Sequence, residues 1–227
     1  RTDTLPADFS KNPMITGLAG TARTAKPRAA IPTNTDGPRV IVVTDQFPVL
    51  SQTFILDQMT GLIDRGVAVE HWSMQRMDEP VMHQNVRAYG LLEATHYITL
   101  PADALRKDPR LWTERFLRDN NIAPLDDVVA VQVHFGPNFN KLAPLFTAYP
   151  DLFTLTSFHG YDGSSTFQVK GADVYEQLFA RSNLITTPSL FMKETLTRYG
   201  CPPDKIVVQH YGKEDRKSTR LNSSHSR

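Results

Sequence analysis

Val40-Ile41-Val42-Val43-Thr44 and Val67-Ala68-Val69-Glu70-His71-Trp72 decide the fold. The first is a near-continuous apolar run, the pattern of a strand buried on both faces of a parallel sheet. The loop Asp45-Gln46-Phe47-Pro48-Val49-Leu50 follows it, and Ser51 then stands where an N-cap belongs. A helix is predicted from 52 to about 65. Its Ile55, Met59 and Leu62 recur at i, i+4 and i+7 and so share a core-facing stripe. Gly66 stops that helix, as glycine does at the C′ position. Strand, helix and strand in immediate succession form a β-α-β unit, which favours a parallel sheet with a right-handed crossover.

The same alternation runs outward to the end of the pattern. Strands are predicted over 95–100, 128–133, 153–155, 184–187 and 205–208. Asp108-Pro109 reads as an N-cap with a first-turn proline, opening a helix through about 119. Further helices are expected over 139–148 and 174–180, and after a Ser189 cap, where Met192, Leu196 and Tyr199 share a face until Gly200. Residues 73–93 give no assignment. The expected fold is α/β, a Rossmann-like parallel sheet with helices on both faces, over 39–212. Residues 1–38, rich in Thr, Ala and Pro and without periodicity, read as a disordered tail. The run from Asp215 to His225 resembles the in-frame translation of a sequencing-adapter oligonucleotide, so 213–227 are read as a non-native tail. On that reading Asn222-Ser223-Ser224 is no glycosylation signal, the basic run is no nucleic-acid patch, and the frame is cut after Gly212.

Composition narrows the function classes. The chain has 227 residues, 40% hydrophobic and 22% charged, which suits a globular protein with one sizeable core. A net charge of +1 gives no general attraction to nucleic acid. The single cysteine, Cys201, excludes an internal disulfide and is compatible with a reducing compartment. No apolar run approaches the roughly 18 residues of a membrane span, and no signal-peptide pattern opens the chain. The expected location is the cytoplasm, with peripheral contact at the inner face of the membrane as an option. The chain starts at Arg1, so the true start is expected upstream or at Met14.

Three loops at predicted strand ends carry polar or reactive residues: Phe47-Pro48-Val49-Leu50-Ser51-Gln52-Thr53-Phe54, His134-Phe135-Gly136, and His159-Gly160-Tyr161-Asp162. Ligands of open parallel sheets bind at the carboxyl ends of the strands. Singly, each loop has an ordinary explanation: a structural histidine, a turn-capping Asp162, glycines at 136 and 160 for tight turns. Together, two histidines at two strand ends beside a helix start point to a site. His134, His159 and Asp162, with His210, are also types that ligate zinc or manganese, so a metal-dependent hydrolase stays open, although no His-Glu-x-x-His pattern is present.

Those loops, with Pro188-Ser189, Phe191-Met192 and Lys205-Ile206-Val207-Val208-Gln209-His210-Tyr211-Gly212, fall in an order and spacing that resembles family-4 glycosyltransferases, above all the colanic-acid type of exopolysaccharide enzymes. The resemblance covers about 39–212. Gln52 departs from it, since that subgroup more often has Glu there. The resemblance implies a GT-B architecture whose N-terminal domain shapes the acceptor side, with most contacts to the nucleotide-sugar on a C-terminal domain beyond Gly212. It implies sugar transfer from a nucleotide-sugar to a hydroxyl of a saccharide or lipid-linked saccharide, with retention, no metal and no nucleic acid. The chain alone is then expected to be inactive. By the same resemblance His159 contacts the transferred sugar and Asp162 orients its loop or touches the acceptor. Ser51, Gln52, Thr53, His134, Gly136 and Tyr161 lie on the acceptor side, and Gly160 lies against the donor. A non-catalytic saccharide-binding module and a related epimerase are the other classes that fit. In the helix predicted from 109, Trp112, Phe116 and Leu117 fall on one side, with Arg110, Arg115 and Arg118 mostly opposite. That pattern fits a packed helix with a solvated basic face, or contact with an anionic membrane.

Overall fold

In the computed structural model, which describes residues 38–211, the run that opens the pattern becomes β1, Arg39–Phe47. Its residues alternate between two cores. Ile41 and Val43 enter a cluster on one face, and Val40 and Val42 enter another on the opposite face. Only a strand covered on both sides does this, which is why the sequence shows a run rather than an alternation.

Six more strands follow: β2 (Ala68–Arg76), β3 (Thr95–Tyr97), β4 (Val128–His134), β5 (Thr154–Ser157), β6 (Leu184–Thr187) and β7 (Ile206–Val208). All seven pair in parallel, in the order β3-β2-β1-β4-β5-β6-β7. The chain winds outward one way from β1 and the other way from β4. The direction reverses between these neighbours, so loops part over their carboxyl ends and leave the crevice where doubly wound sheets bind ligands.

The longer helices are α1 (Thr53–Ile63), α4 (Pro109–Asp119), α5 (Gly136–Ala148) and α8 (Leu190–Arg198); α2 (Gln84–Ala88), α3 (Leu91–Ala94), α6 (Ser165–Lys170) and α7 (Glu176–Arg181) are short. Residues of α1 to α3 build the core with Val40 and Val42, and residues of α4 to α8 build the core with Ile41 and Val43. The larger core centres on Trp112 of α4, stacked on Phe116 at 5.2 Å, with Trp72 of β2 edge-on to Phe116 at 5.5 Å. Predicted caps stand where capping is local. The side chain of Asp108 accepts from the Leu111 N–H, and that of Ser189 from the Met192 N–H. Gly66 and Gly200 take φ of +82° and +94° and close their helices with paired backbone bonds.

Several boundaries differ, each for a tertiary reason. Ser51 is not the cap of α1. The Gln52 N–H closes a turn onto the Val49 carbonyl, the Gln52 carbonyl accepts the first helical bonds, and Ser51 lies exposed outside the helix. The strand expected over 95–100 stops at Tyr97, because the Asn120 side chain bonds both the N–H and the carbonyl of Thr99. The helix expected at 139 begins at Gly136, with Pro137 in its first turn where a missing N–H costs nothing. The helix expected over 174–180 starts at Glu176, and α6 arises where no element was expected. Residues 73–93 hold the rest of β2, α2 and most of α3. The tails expected at 1–38 and 213–227, with Gly212, lie outside the described residues except for Pro38.

Candidate functional site

His134 ends β4, and His159 stands two residues beyond β5. Because these strands are adjacent and in register, with His134 opposite Ser157, the two imidazoles meet. Their rings stack with centroids 5.1 Å apart, and Nδ1 of His134 shares a hydrogen bond of 2.9 Å with Nε2 of His159. The other ring nitrogen of His159, Nδ1, is hydrogen-bonded to the hydroxyl of Tyr211, beyond the end of β7. Phe54 of α1 and Phe135 lie against the same imidazole, both at 4.7 Å, and Phe54 stacks on Tyr211 at 4.5 Å. The centre is therefore one histidine among four rings, two from the end of β4 and one each from α1 and the segment after β7.

Electrostatics keep this centre uncharged. Burial pushes His134 well below the ordinary imidazole range, with His159 and His71 adding to the effect. Burial also lowers His159 to about 4, against a smaller opposing pull from Asp162. The phenol of Tyr211 is pushed up to about 12, first by burial and then by Asp162. At neutral pH each imidazole thus carries one proton, and the contacts must follow in sequence. If Nδ1 of His134 donates to His159, then Nδ1–H of His159 donates to the Tyr211 oxygen. If Nε2–H of His159 donates to His134, then Tyr211 donates to Nδ1. The Nε2 atom of His134 is buried without a hydrogen-bond partner among the described residues.

Asp162 holds the centre together without entering it. One carboxylate oxygen accepts from the N–H groups of His159 and Gly160, both at 3.0 Å, and the other accepts from the Gly136 N–H at 3.1 Å. The residue is 3% exposed. It ties the loop after β5 to the start of α5. Between these anchors Phe135 takes a φ of +68°, unusual for a bulky residue and costing about 1–3 kcal/mol. Its N–H bonds the Ser157 carbonyl and its own carbonyl accepts from the Asn138 N–H, which holds the ring toward His159.

Gly136 is required for close approach. A Cβ there would lie 2.7 Å from the Tyr175 ring and 2.8 Å from that of Phe158, both fully buried. Gly136→Ala is expected to destabilise the protein by about 1–3 kcal/mol through overpacking, read as a lowered urea midpoint. An unchanged midpoint would show that the two rings yield freely. Gly160 differs: nothing lies within 4 Å of a Cβ built there, so the space beside His159 is open.

The structure thus brings together His134, Gly136, His159, Gly160 and Asp162. Ser51 and Thr53 are exposed at the start of α1, and Gln52 and Thr53 line a crevice of about 20 Å³ with Phe47, Pro48, Met82 and His83, a lining that does not include His134 or His159. Tyr161 is 67% exposed. His210 bonds the Pro188 carbonyl. Among the described residues no group of three or more His, Cys, Asp or Glu is placed to hold a metal ion. The hydrolase alternative also asks for His134, His159 and Asp162 as ligands, while both nitrogens of His159, Nδ1 of His134 and both carboxylate oxygens of Asp162 are engaged within the protein. Sequence reasoning missed Phe54, Phe135 and Tyr211 as site residues, although Phe54 and Phe135 stand in loops it singled out and Tyr211 in a stretch that carries the resemblance.

Of the helix expected to offer a basic face, Trp112 and Phe116 are fully buried, while Arg115 and Arg118 converge on Asp119. Among the described residues no helix is long and apolar enough to cross a membrane.

No protein-family profile matches the chain. It is similar to the amylovoran biosynthesis glycosyltransferase AmsK of Erwinia amylovora, at 30% identity over 77% of this chain and 50% of that protein. It is also similar to WcaL, provisionally named a colanic acid biosynthesis glycosyltransferase. The identity is 29% for the Salmonella typhimurium protein and 28% for that of Escherichia coli, each over 74% of this chain and 48% of the relative. The chain spans about half the length of the curated relatives it matches.

Proposed function

We propose that this chain is the acceptor-side part of a retaining glycosyltransferase of exopolysaccharide biosynthesis, which moves a sugar from a nucleotide-sugar to a hydroxyl of a saccharide or lipid-linked saccharide. One observation carries the reading: a neutral histidine, framed by aromatic rings, stands at the carboxyl ends of a doubly wound sheet in a chain similar to glycosyltransferases of amylovoran and colanic acid biosynthesis.

The chemistry fits the parts. Sugar transfer builds charge on the departing diphosphate and on an oxocarbenium-like ring. A neutral imidazole cannot neutralise the diphosphate. It can hold and orient a sugar hydroxyl through Nδ1, which donates or accepts according to the proton order shared with His134. His159 is the residue proposed to touch the transferred sugar, with Gly160 beside it in open space. His134 sets the orientation of His159, and Asp162 fixes the loop that carries it. The cations that balance the diphosphate belong, on this reading, to the part of the full-length protein outside this chain, and no metal is needed. If the acceptor rides on a lipid, α4 would meet the membrane through Arg110 and Leu111, which is 49% exposed.

The test is an assay of the full-length protein with labelled nucleotide-sugars and a saccharide acceptor. Transfer is expected with the parent, and His159→Ala is expected to lower kcat/KM by about a hundredfold, the scale for losing one oriented donor at a reacting centre. The chain as given is expected to show no turnover. Full activity in the His159→Ala enzyme would remove His159 from the site. Binding of glycans without any response to nucleotide-sugar would favour a saccharide-binding module instead.

A further inference from the structure

Both nitrogens of His159 are engaged, and the two partners differ in kind. His134 is fully buried within the end of β4. Tyr211 is 43% exposed, and it lies past the last ladder bond of the β7 segment, from the Gln209 N–H to the Thr187 carbonyl. Besides its bond to His159, it lies stacked on Phe54. A ligand approaching His159 from the open side near Gly160 therefore finds Nε2 closed off by the fold and Nδ1 covered by a phenol at the surface.

We infer that the hydroxyl of Tyr211 occupies the seat on Nδ1 of His159 that a ligand hydroxyl takes, and that Tyr211 must leave before the ligand binds, so that it sets the affinity of the site. The inference rests on the reading of this site as sugar-binding. It adds a competitor to that reading and defines the chemistry of what displaces it. The phenol is a hydroxyl on a six-membered ring whose flat face lies on Phe54. A pyranose presents the same pair of features, a ring hydroxyl and an apolar C–H face that packs on an aromatic ring. A hydroxyl also suits either proton order along the His134–His159 pair, since it donates or accepts as needed. A carboxylate or phosphate oxygen suits only one order. A cation is not recruited, because His159 carries no charge and its surroundings are aromatic or neutral except for Asp162, whose carboxylate is already engaged by three N–H groups. A lone hydrogen bond between neutral groups contributes modestly, so Tyr211 acts as a displaceable cover rather than a lock.

Tyr211→Phe separates this from a role in which Tyr211 itself grips the ligand. The ring and its stacking on Phe54 remain while the hydroxyl is gone. In the full-length protein, UDP-glucose, UDP-galactose, GDP-mannose and GDP-fucose are titrated into parent and variant by calorimetry. Whichever of these the parent binds is expected to bind the variant about three- to tenfold tighter, the range one neutral hydrogen bond allows. Equal or weaker binding by the variant overturns the proposal, weaker binding marking Tyr211 as a direct ligand contact. A second measurement needs no nucleotide-sugar. Carbethoxylation of His159 by diethyl pyrocarbonate, followed by mass spectrometry on the same two proteins, reports access to its ring nitrogens. Labelling is expected to be at least about fivefold faster in Tyr211→Phe, while His134 stays inert in both. Equal labelling rates overturn the cover. Faster labelling with no nucleotide-sugar binding in either protein would instead sink the glycosyltransferase reading and leave the cover standing.

Discussion

Asp162→Ala is expected to destabilise the protein by about 3 kcal/mol and to abolish whatever the site does, because three N–H groups lose their acceptor at once. These donors come from two separate loops: His159 and Gly160 after β5, and Gly136 at the start of α5. Each unsatisfied buried donor costs about 1–3 kcal/mol, and water entering from the open side of Gly160 offsets part of the sum. Asp162→Asn is the sharper probe. The amide oxygen can still accept from His159 and Gly160, which share one carboxylate oxygen. The amide NH2 then faces the Gly136 N–H, donor against donor. Asn is therefore expected to detach α5 from the loop while leaving the loop folded, at a cost of about 1–2 kcal/mol and below that of Ala. Urea denaturation gives the stabilities, and transfer by the full-length enzyme gives the function. An Ala variant with the parent's urea midpoint would show that Asp162 anchors nothing.

How much of this was legible in the chain follows from how local each cause is. The strands could be read because a parallel sheet buries both faces of Val40-Ile41-Val42-Val43. The caps at Asp108 and Ser189 could be read because a cap bonds the N–H three residues on. Ser51 misled because the turn closed by Gln52 shifts α1 by one residue, and nothing at Ser51 itself records that turn. The early end of β3 depends on Asn120, which is distant in sequence. In the site, the two histidines were legible as parts of one candidate site, since ligands of parallel sheets bind at the strand ends. Their mutual hydrogen bond was not, because it requires the register that puts His134 opposite Ser157. The aromatic surround was the least visible part. Phe54, Phe135 and Tyr211 look like core residues in any window, and only the order β1-β4-β5-β6-β7 brings their strand ends together. The carboxylate of Asp162 was visible, but its three backbone partners have no sequence signature.

Mild acid is expected to destabilise this protein strongly, for three histidines that the fold keeps neutral. His71 is enclosed between Thr44 and Thr95. The Thr95 hydroxyl donates to the Leu91 carbonyl, so Thr95 accepts from Nδ1–H of His71, and the bare Nε2 accepts from Thr44. Burial, with His96 adding, lowers His71 to about 3. His134 is held well below its ordinary range, and His159 is lowered to about 4. In the unfolded chain all three protonate near 6.5. The unfolded state thus binds more protons than the native state below about 6.5, and stability rises with pH through that window. It is intact above 6.5 and falls as the pH drops toward about 4 for His159 and about 3 for His71. Each histidine contributes a slope of about 1.4 kcal/mol per pH unit once fully developed. Between pH 7 and pH 5, His71 and His159 together remove on the order of 4 kcal/mol, a large part of the 5–15 kcal/mol typical of a whole domain, and His134 acts in the same direction. Urea midpoints measured across this range are expected to fall steeply. His71→Gln removes one of the three titrations, so it should reduce the slope by about a third whatever it does to the stability at pH 7. That distinction matters, because a lowered baseline alone would only show that residue 71 is buried. Midpoints that stay flat from pH 7 to pH 5 would mean that these imidazoles are hydrated and free to charge. The neutral His159 on which sugar contact and the Tyr211 cover both depend would then be lost with them.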